Sequence, residues 1–179
     1  AMNHDELKQA PASFENPTAG VVVAKEYNRA SRVSRNLANF ILSQGHYAKA
    51  WPGPYASALS MMPAAIDSGM GQLGKHGSLI HRELGSSFRL AAVTTDMPLV
   101  ADQPEDFGAE DFCTNCQICT RGCPPGAIEN DKRMVRGVEK WYVDFDKCLP
   151  FFNQHQGCAI CIAVCPWSRP GVGPNLATK

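Results

Sequence analysis

Eight cysteines, all within residues 113–165, constrain the fold more than any other feature of the sequence. The first four follow the spacing C-x2-C-x2-C-x3-C-P, and the second four repeat its end after a wider gap. The two groups are Cys113, Cys116, Cys119 and Cys123, followed by Pro124, and Cys148, Cys158, Cys161 and Cys165, followed by Pro166. Bacterial ferredoxins use the first spacing to hold four-iron, four-sulfur clusters. The sequence therefore predicts two [4Fe–4S] clusters.

The spacing also predicts which cysteines share a cluster. Three thiolates two residues apart wrap around one cubane, and the fourth, carried onward by a short turn, reaches the other cubane. One cluster is then held by Cys113, Cys116, Cys119 and Cys165, and the other by Cys123, Cys148, Cys158 and Cys161. Residues 149–157 separate Cys148 from Cys158, and we expect them to form an inserted loop.

Zinc and disulfide bonds are the alternative uses of these cysteines. Four-cysteine zinc sites usually consist of two C-x2-C pairs separated by a longer loop. Disulfide frameworks are typical of smaller secreted chains. Three cysteines in strict x2 spacing followed by x3-Cys-Pro favour clusters over both. A cubane with four thiolate ligands has no open iron site, so the predicted role is the transfer of single electrons.

Composition limits the partners of the chain. Lysine plus arginine equals aspartate plus glutamate, at 17 each in 179 residues, so the sequence gives no electrostatic footprint for nucleic acid. No apolar run approaches the length of a membrane span. The polar N-terminus carries no signal-peptide pattern, and we expect a cytoplasmic location.

The region before the cysteines mixes patterns typical of strands and helices. Residues 1–19 are expected to form a flexible arm. Strands are predicted at 21–24, 88–95 and 141–145, and helices at about 28–44 and 57–66. Gly45 stands where a helix is expected to end. Residues 69–78 contain four glycines in GMGQLGKHGS, which favours either a flexible loop or a backbone that closely approaches a large partner. The tail, 171–179, is expected to be loose.

Residues outside the cysteine groups carry a family resemblance. The stretch that starts at GMGQLGKHGSLIHRELGSSFRL and runs into CTNCQICTRGCPPGAI resembles the reductive dehalogenases, as does WYVDFDKCLPFFNQHQGCAICIAVCPWSRP. A similar arrangement occurs in the epoxyqueuosine reductases. The resemblance covers about residues 20–170 and is most specific over 69–168.

The resemblance implies an α+β chain. A nitroreductase-like α/β portion that binds a corrinoid would span 20–107, and a ferredoxin-like module with two [4Fe–4S] clusters would span 108–170. It further implies a cobalamin-dependent oxidoreductase that passes electrons through both clusters to cobalt for reductive carbon–halogen cleavage. Family members are much longer, and the additional upstream region supplies half of the corrinoid core and a proton-donating tyrosine.

The family also suggests roles for individual residues. Backbone around the Gly-rich segment would lie against the corrinoid, at Gly71, Gly74, Lys75, His76, Gly77 and Ser78. Arg89 resembles an arginine near the substrate or halide, and Lys25 matches by position a lysine that supports the tyrosine. Either could instead be an ordinary residue at a strand end. Tyr27, Tyr47 and Tyr55 match no tyrosine motif.

Among His46, His76, His81 and His155, the candidates for an axial ligand of cobalt are His76 and His81. His76 and His81 have the more suitable positions, but the family binds its corrinoid base-off, without a protein ligand. Two functions remain open. One is a reductive dehalogenase-type enzyme or its corrinoid- and cluster-binding part. The other is a non-catalytic electron-transfer protein or subunit. Expected partners are a ferredoxin, a flavodoxin or a reductase domain as donor, and a missing N-terminal half or a second copy.

Overall fold

A computed structural model of the chain describes residues 2, 5–6, 17–53 and 58–177. The helices are α1 (Thr18–Ser43), α2 (Met61–Asp67), α3 (Ala109–Asn115), α4 (Ile118–Arg121), α5 (Phe145–Gln154), α6 (Ile160–Ala163) and α7 (Gly173–Leu176), with a 3-10 turn at Pro166–Ser168. The strands are β1 (Ala48–Trp51), β2 (Gln72–Leu73), β3 (Leu79–Ile80), β4 (Ala92–Thr95), β5 (Arg133–Val135) and β6 (Val138–Lys140). The mixed α+β prediction is confirmed.

The strand predicted at 21–24 is wrong, because these residues belong to the long helix α1. Val22 is 2% exposed whereas its neighbour Val21 is 47% exposed. A short run of valines shows neither the helical nor the strand periodicity of hydrophobic residues. Its secondary structure therefore depends on the residues that pack against it. The helix predicted at 28–44 is confirmed and begins ten residues earlier, at Thr18. It ends before Gly45, whose φ of 87° suits a helix C-terminus.

The described strands pair two by two, and each pair is antiparallel: β1 with β4, β2 with β3, and β5 with β6. In the first pair Ala48 lies opposite Thr95 and Trp51 opposite Ala92. The C-terminal half of α1 packs on this pair through Ala38 and Ile41. The strand predicted at 88–95 is therefore confirmed for its last four residues only.

The Gly-rich segment is a tight hairpin instead of a flexible loop. Strands β2 and β3 flank a turn in which the Gly74 N–H donates to the Ser78 carbonyl and the Gly77 N–H to the Gly74 carbonyl, both at 2.9 Å. Gly77 has a φ of 76°. The turn directs Lys75 and His76 inward, and both are buried.

One core cluster connects this hairpin to the cysteine-rich region. It consists of the buried residues Ile80, Phe107, Ala109, Cys113, Trp141, Cys165 and Trp167. Trp167 is completely buried, and the rings of Phe107 and Phe112 meet its indole edge-on at 5.4 and 5.8 Å. The two portions of the chain therefore share a core.

Three predictions for the last third of the chain need correction. Residues 141–145 form no strand beyond a single bridge between Val143 and Ile128, because Asp144 caps α5 by accepting hydrogen bonds from the Asp146 and Lys147 N–H groups. The loop predicted at 149–157 is largely α5. The tail is not loose, because Leu176 and Ala177 pack against the core cluster. Residues 178–179 lie outside the described residues.

The remaining predictions concern the first 66 residues. The helix predicted at 57–66 occurs as α2, Met61–Asp67, and residue 57 lies outside the described residues. Most of the predicted arm at 1–19 also lies outside them, although Met2 is buried and α1 already begins at Thr18. Within the described ranges, no helix combines the length and apolar character that a bilayer crossing requires.

Candidate cluster and cofactor site

The eight cysteines lie on or beside four short helices. Cys113 and Cys116 lie on and after α3, Cys119 and Cys123 on and after α4, Cys148 on α5, and Cys158, Cys161 and Cys165 before, on and after α6. All eight are free thiols, so the disulfide alternative is wrong. In the described part of the chain, no three His, Cys, Asp or Glu side chains are arranged as ligands of a single metal ion.

Folding brings Cys165 to the first cysteine group. Burial raises the pKa of the Cys165 thiol to about 12; N–H groups of Trp167 and Ser168 oppose the rise, and negative charge on Cys113 and Cys119 adds to it. Burial likewise raises the pKa of Cys119 to about 11, and repulsion from Cys113 and Cys116 increases it further. Cys113, Cys116, Cys119 and Cys165 are thus electrostatic neighbours.

Cys123 lies with the second cysteine group. Burial raises the pKa of Cys161 to about 12, and charge on Cys158, Cys119, Cys123 and Cys148 raises it further. Cys123 also raises the pKa of both Cys148 and Cys158, again after burial. The fourth cysteine of each sequence group therefore lies near thiols of the other group.

The donor set fits iron–sulfur clusters. Partly buried thiols that repel one another resist ionisation, and a bound cationic centre removes this difficulty by coordinating the thiolates. Backbone N–H groups are already directed at sulfur: that of Ala127 donates to Cys123 Sγ at 3.3 Å. Hydrogen bonds of this kind stabilise the negative charge of a ligated thiolate.

A cavity of about 1120 Å³ adjoins the second thiol group. Its wall includes Cys123, Cys148, Cys158 and Cys161, whereas none of the other four cysteines lines it. Drug-sized ligands usually occupy about 300–1000 Å³. The cavity therefore has room for a large cofactor with one thiol group beside it.

One face of α1 forms another part of the cavity wall. Gly20, Val23, Ala24 and Tyr27 line it with the spacing i, i+3, i+4, i+7, which is that of a single helix face. This face was missed in the sequence because residues 21–24 were predicted to be a strand. The helical spacing was the available signal.

Arg89 and Tyr27 meet on the cavity wall. The Arg89 guanidinium lies 5.5 Å from the Tyr27 ring centre, and its Nη1 donates to the Phe88 carbonyl at 2.8 Å. Burial lowers the pKa of Arg89, while its attraction to Tyr27 opposes the change. Its Nε is buried and has no hydrogen-bond partner among the described residues. Arg89 therefore places a cationic side chain on the cavity wall.

The Gly-rich hairpin contributes only part of the wall. His76, Gly77 and Ser78 line the cavity, and Gly71, Gly74 and Lys75 do not. A Cβ on Gly74 would lie 2.7 Å from Ile80 Cδ1, and one on Gly71 would collide with the Ile80 carbonyl oxygen. These two glycines are required by packing within the hairpin.

His76 has both ring nitrogens occupied. The Ser78 N–H donates to Nδ1 at 3.2 Å, so Nε2 carries the hydrogen and donates to Ser86 Oγ at 3.3 Å; Ser86 in turn donates to the Leu79 carbonyl. Burial lowers its pKa to about 4, which keeps the imidazole neutral. In this arrangement His76 has no free lone pair for a metal.

Other candidate residues lie away from the cavity. Lys25 is exposed on α1, 3.7 Å from Glu6. His81 accepts hydrogen bonds at Nδ1 from Glu83 and Leu84. His46 lies 3.7 Å from Asp96, and Tyr47 is exposed. Tyr55 is outside the described residues. His155 lies on the opposite end of α5 from Asp144, stacked on Phe151.

Comparison with known proteins agrees with the cysteine pattern. Residues 112–168 match the family model of a 4Fe-4S dicluster domain. The chain is 34% identical to the tetrachloroethene reductive dehalogenase of Sulfurospirillum multivorans over 96% of the chain and 35% of that protein. It is 29% identical to the epoxyqueuosine reductase of Escherichia coli (strain K12) over 94% of the chain and 47% of the enzyme.

A solved reductive dehalogenase, described as B12-dependent, superposes on 97% of the chain with a TM-score of 0.84 and 28% identity. The match covers 26% of that protein. The chain thus spans about a third of the length of the curated dehalogenases that it matches. It is a homologue of the reductive dehalogenases and of the epoxyqueuosine reductases over nearly its whole length, and it contains a 4Fe-4S dicluster domain.

Proposed function

We propose that the chain is the corrinoid- and cluster-binding part of a cobalamin-dependent, reductive dehalogenase-type oxidoreductase. The observation that carries the proposal is the position of one thiol group on the wall of a cavity of about 1120 Å³. A cluster held there would deliver single electrons directly to whatever occupies the cavity. The solved reductive dehalogenase that is described as B12-dependent superposes on this chain, and this similarity supports cobalamin as that occupant.

Each thiol group would hold one [4Fe–4S] cluster. Cys123, Cys148, Cys158 and Cys161 would hold the inner cluster at the cavity, and Cys113, Cys116, Cys119 and Cys165 the outer one. The electrostatic neighbourhoods described above support this crossed assignment over one based on sequence order. Buried thiolates of the two groups, such as Cys119 and Cys161, lie close enough to repel one another, which suits electron transfer between the clusters.

The cavity residues would bind and orient the cofactor and the substrate. When bound, cobalamin supplies the cobalt chemistry for reductive carbon–halogen cleavage. Gly77 and Ser78 present hairpin backbone to the cavity, and the α1 face adds the small residues Gly20 and Ala24. Arg89 would attract the substrate or the departing halide through its guanidinium. The role of Lys25 in supporting a proton-donating tyrosine stays a proposal by family position.

The remaining proposals concern the rest of the protein. Residues 20–107 would form part of a nitroreductase-like core that an upstream half or a second copy completes. A ferredoxin, a flavodoxin or a reductase domain would supply electrons, and the expected location is the cytoplasm. The second candidate function is a non-catalytic electron-transfer subunit, which the 4Fe-4S dicluster domain at residues 112–168 supports.

Anaerobic reconstitution tests the two candidates. The chain is loaded with iron and sulfide, mixed with cobalamin and passed through gel filtration. Both functions require about eight irons and eight sulfides per chain. Retained cobalt supports the dehalogenase proposal, whereas full clusters without cobalt favour the electron-transfer subunit. Stoichiometric zinc in place of iron would contradict both.

A pair of variants on α1 makes the cobalamin test specific for the cavity. Ala24 lines the cavity and Asn28, one helical turn later, does not. Ala24→Trp should therefore lower cobalt retention at least tenfold with the iron content unchanged, whereas Asn28→Trp should retain cobalt like the unaltered chain. Equal retention by both variants would place the bound cobalamin outside this cavity.

A further inference from the structure

Lys75 carries a buried ammonium group without a hydrogen-bond partner. The residue is 1% exposed, and its Nζ makes no hydrogen bond among the described residues. Removing an ammonium from water is strongly unfavourable unless a negative charge compensates it. The folded chain therefore holds a positive charge whose counter-charge has to come from a group nearby.

The aromatic contact of Lys75 does not supply that counter-charge. Its Nζ lies 4.8 Å from the centre of the Trp141 ring, whose face attracts cations but carries no net charge. Lys132 approaches the same ring at 5.4 Å and adds a second positive charge, although it is paired with Glu110. Trp141 is thus contacted by two cations, and among the described residues only Lys132 is paired with a carboxylate.

The outer thiol group is the negative partner within reach. The backbone N–H of Lys75 hydrogen-bonds to the Cys113 thiol, and the charge of Lys75 favours the thiolates of both Cys113 and Cys119. Cys113, Cys165 and Trp141 belong to one core cluster. Lys75 does not line the cavity, and its charge is not among the causes that shift the pKa values of Cys148, Cys158 and Cys161.

We propose that Lys75 is the fixed counter-charge of the outer cluster and sets its reduction potential above that of the same cluster without the lysine. Four thiolates give a cubane a net negative charge, which increases when it accepts an electron. A buried cation stabilises the reduced form more than the oxidised form. The step moves one electron from the donor to the cluster, which oxidises the donor, and no proton moves.

This inference rests on the proposed two-cluster function. It assigns Lys75 the role of a fixed positive charge beside the outer cluster, instead of a contact with the corrinoid. The raised potential sets the order in which the clusters accept an electron. It makes the outer cluster the first acceptor for an external donor. The inner cluster, at the cavity, lacks this buried lysine.

The test is a redox titration of the Lys75→Met holoprotein with dithionite and titanium(III) citrate as reductants. Electron paramagnetic resonance measures the fraction of each cluster that is reduced at each potential. We expect one of the two clusters to show about a tenfold lower ratio of reduced to oxidised form at its original midpoint, a shift of about −59 mV for one electron. The other cluster should be unchanged. Lys132→Met is the matched control, because it removes a more exposed cation from the same indole and should leave both midpoints near their original values.

Two clusters with unaltered midpoints in Lys75→Met would overturn the proposal while leaving the two-cluster function intact. Absence of iron from the unaltered chain would instead contradict the function itself. If Lys75→Met does not retain eight irons, the variants Lys75→Arg and Lys75→Gln test whether the positive charge is what the outer cluster requires. Retention of the outer cluster by the Arg variant alone supports the charge. Retention by the Gln variant with unaltered midpoints, or loss from both variants, contradicts it.

Discussion

The guanidinium of Arg89 faces the ring of Tyr27 across 5.5 Å, which joins the segment before β4 to the N-terminal half of α1. Both side chains line the cavity, yet they are far apart in sequence and belong to different elements. Their contact holds a cationic group on the cavity wall, near enough to Cys161 of the inner thiol group for the two charges to interact. This arrangement supports the proposal that Arg89 takes part in ligand recognition.

Replacing Arg89 should impair turnover without removing the cofactors. In the complete enzyme that the proposed function requires, we expect Arg89→Met to retain iron and cobalt and to lose on the order of 100-fold in kcat/KM for reductive dehalogenation, because a charge-assisted contact disappears from a partly buried site. Steady-state assays with a panel of halogenated substrates measure this effect. Arg29→Met removes an exposed arginine from α1 and serves as the control. Unchanged kcat/KM in Arg89→Met would exclude a role in the reaction.

The crossed cluster assignment predicts the outcome of two double variants. Cys113→Ala combined with Cys165→Ala removes two ligands from one proposed cluster, so the other should remain complete with about four irons. Cys158→Ala combined with Cys165→Ala removes one ligand from each cluster, so neither cubane should keep four thiolates. Iron and sulfide analysis with resonance spectra of the reduced proteins separates these results. The reverse pattern would mean that each cluster follows the sequence groups.

Gly85 should be far less tolerant of a side chain than Gly126. Both have positive φ angles, 58° and 62°. A Cβ on Gly85 would collide with the backbone of Trp167 and Ser168, whereas one on Gly126 would meet nothing within 4 Å. Gly126→Ala should lower the free energy of unfolding by about 1 kcal/mol, because alanine is disfavoured in a left-handed backbone conformation. Gly85→Ala should lower it by at least about 2 kcal/mol more, because the added methyl group is overpacked against the backbone. Chemical denaturation under anaerobic conditions measures both, and equal losses would contradict the close packing at Gly85.

His76 should make the folded chain less stable in mild acid. Burial lowers its pKa from the ordinary 6.5 to about 4, so the unfolded chain takes up the proton first as the pH falls. The contribution of the neutral imidazole to stability is fully present above pH 6.5 and decreases toward pH 4. Between pH 7 and pH 5 the loss should be about 2 kcal/mol.

The free energy of unfolding of the holoprotein, measured at pH 7 and pH 5, tests this. His76→Asn serves as the reference, because an asparagine oxygen can still accept from the Ser78 N–H without titrating in this range. The unaltered chain should lose about 2 kcal/mol more than this variant. A parallel decrease in both proteins would assign the acid sensitivity to other groups, including the cluster ligands.

The cysteine chemistry could be predicted from the sequence because ligand spacing is a local property. C-x2-C-x2-C places three thiols on one short loop whatever surrounds it, and the crossed partner of each group follows from the x3-Cys-Pro end. In the folded chain Cys165 and Cys113 belong to one core cluster, and their sharing of an iron–sulfur cluster stays a prediction. Gly45 likewise marks the end of α1 through its own backbone preference.

Only the tertiary structure decided the rest, because burial depends on partners distant in the sequence. Val21–Val23 became helical when Val22 packed against Ile162 and Ala163, although valine alone favours a strand. The same helix then turned Tyr27 toward Arg89 and formed the cavity wall. Lys75, which looked like one polar residue of a glycine-rich loop, became a buried cation because the hairpin closed over it beside Trp141 and the outer thiols.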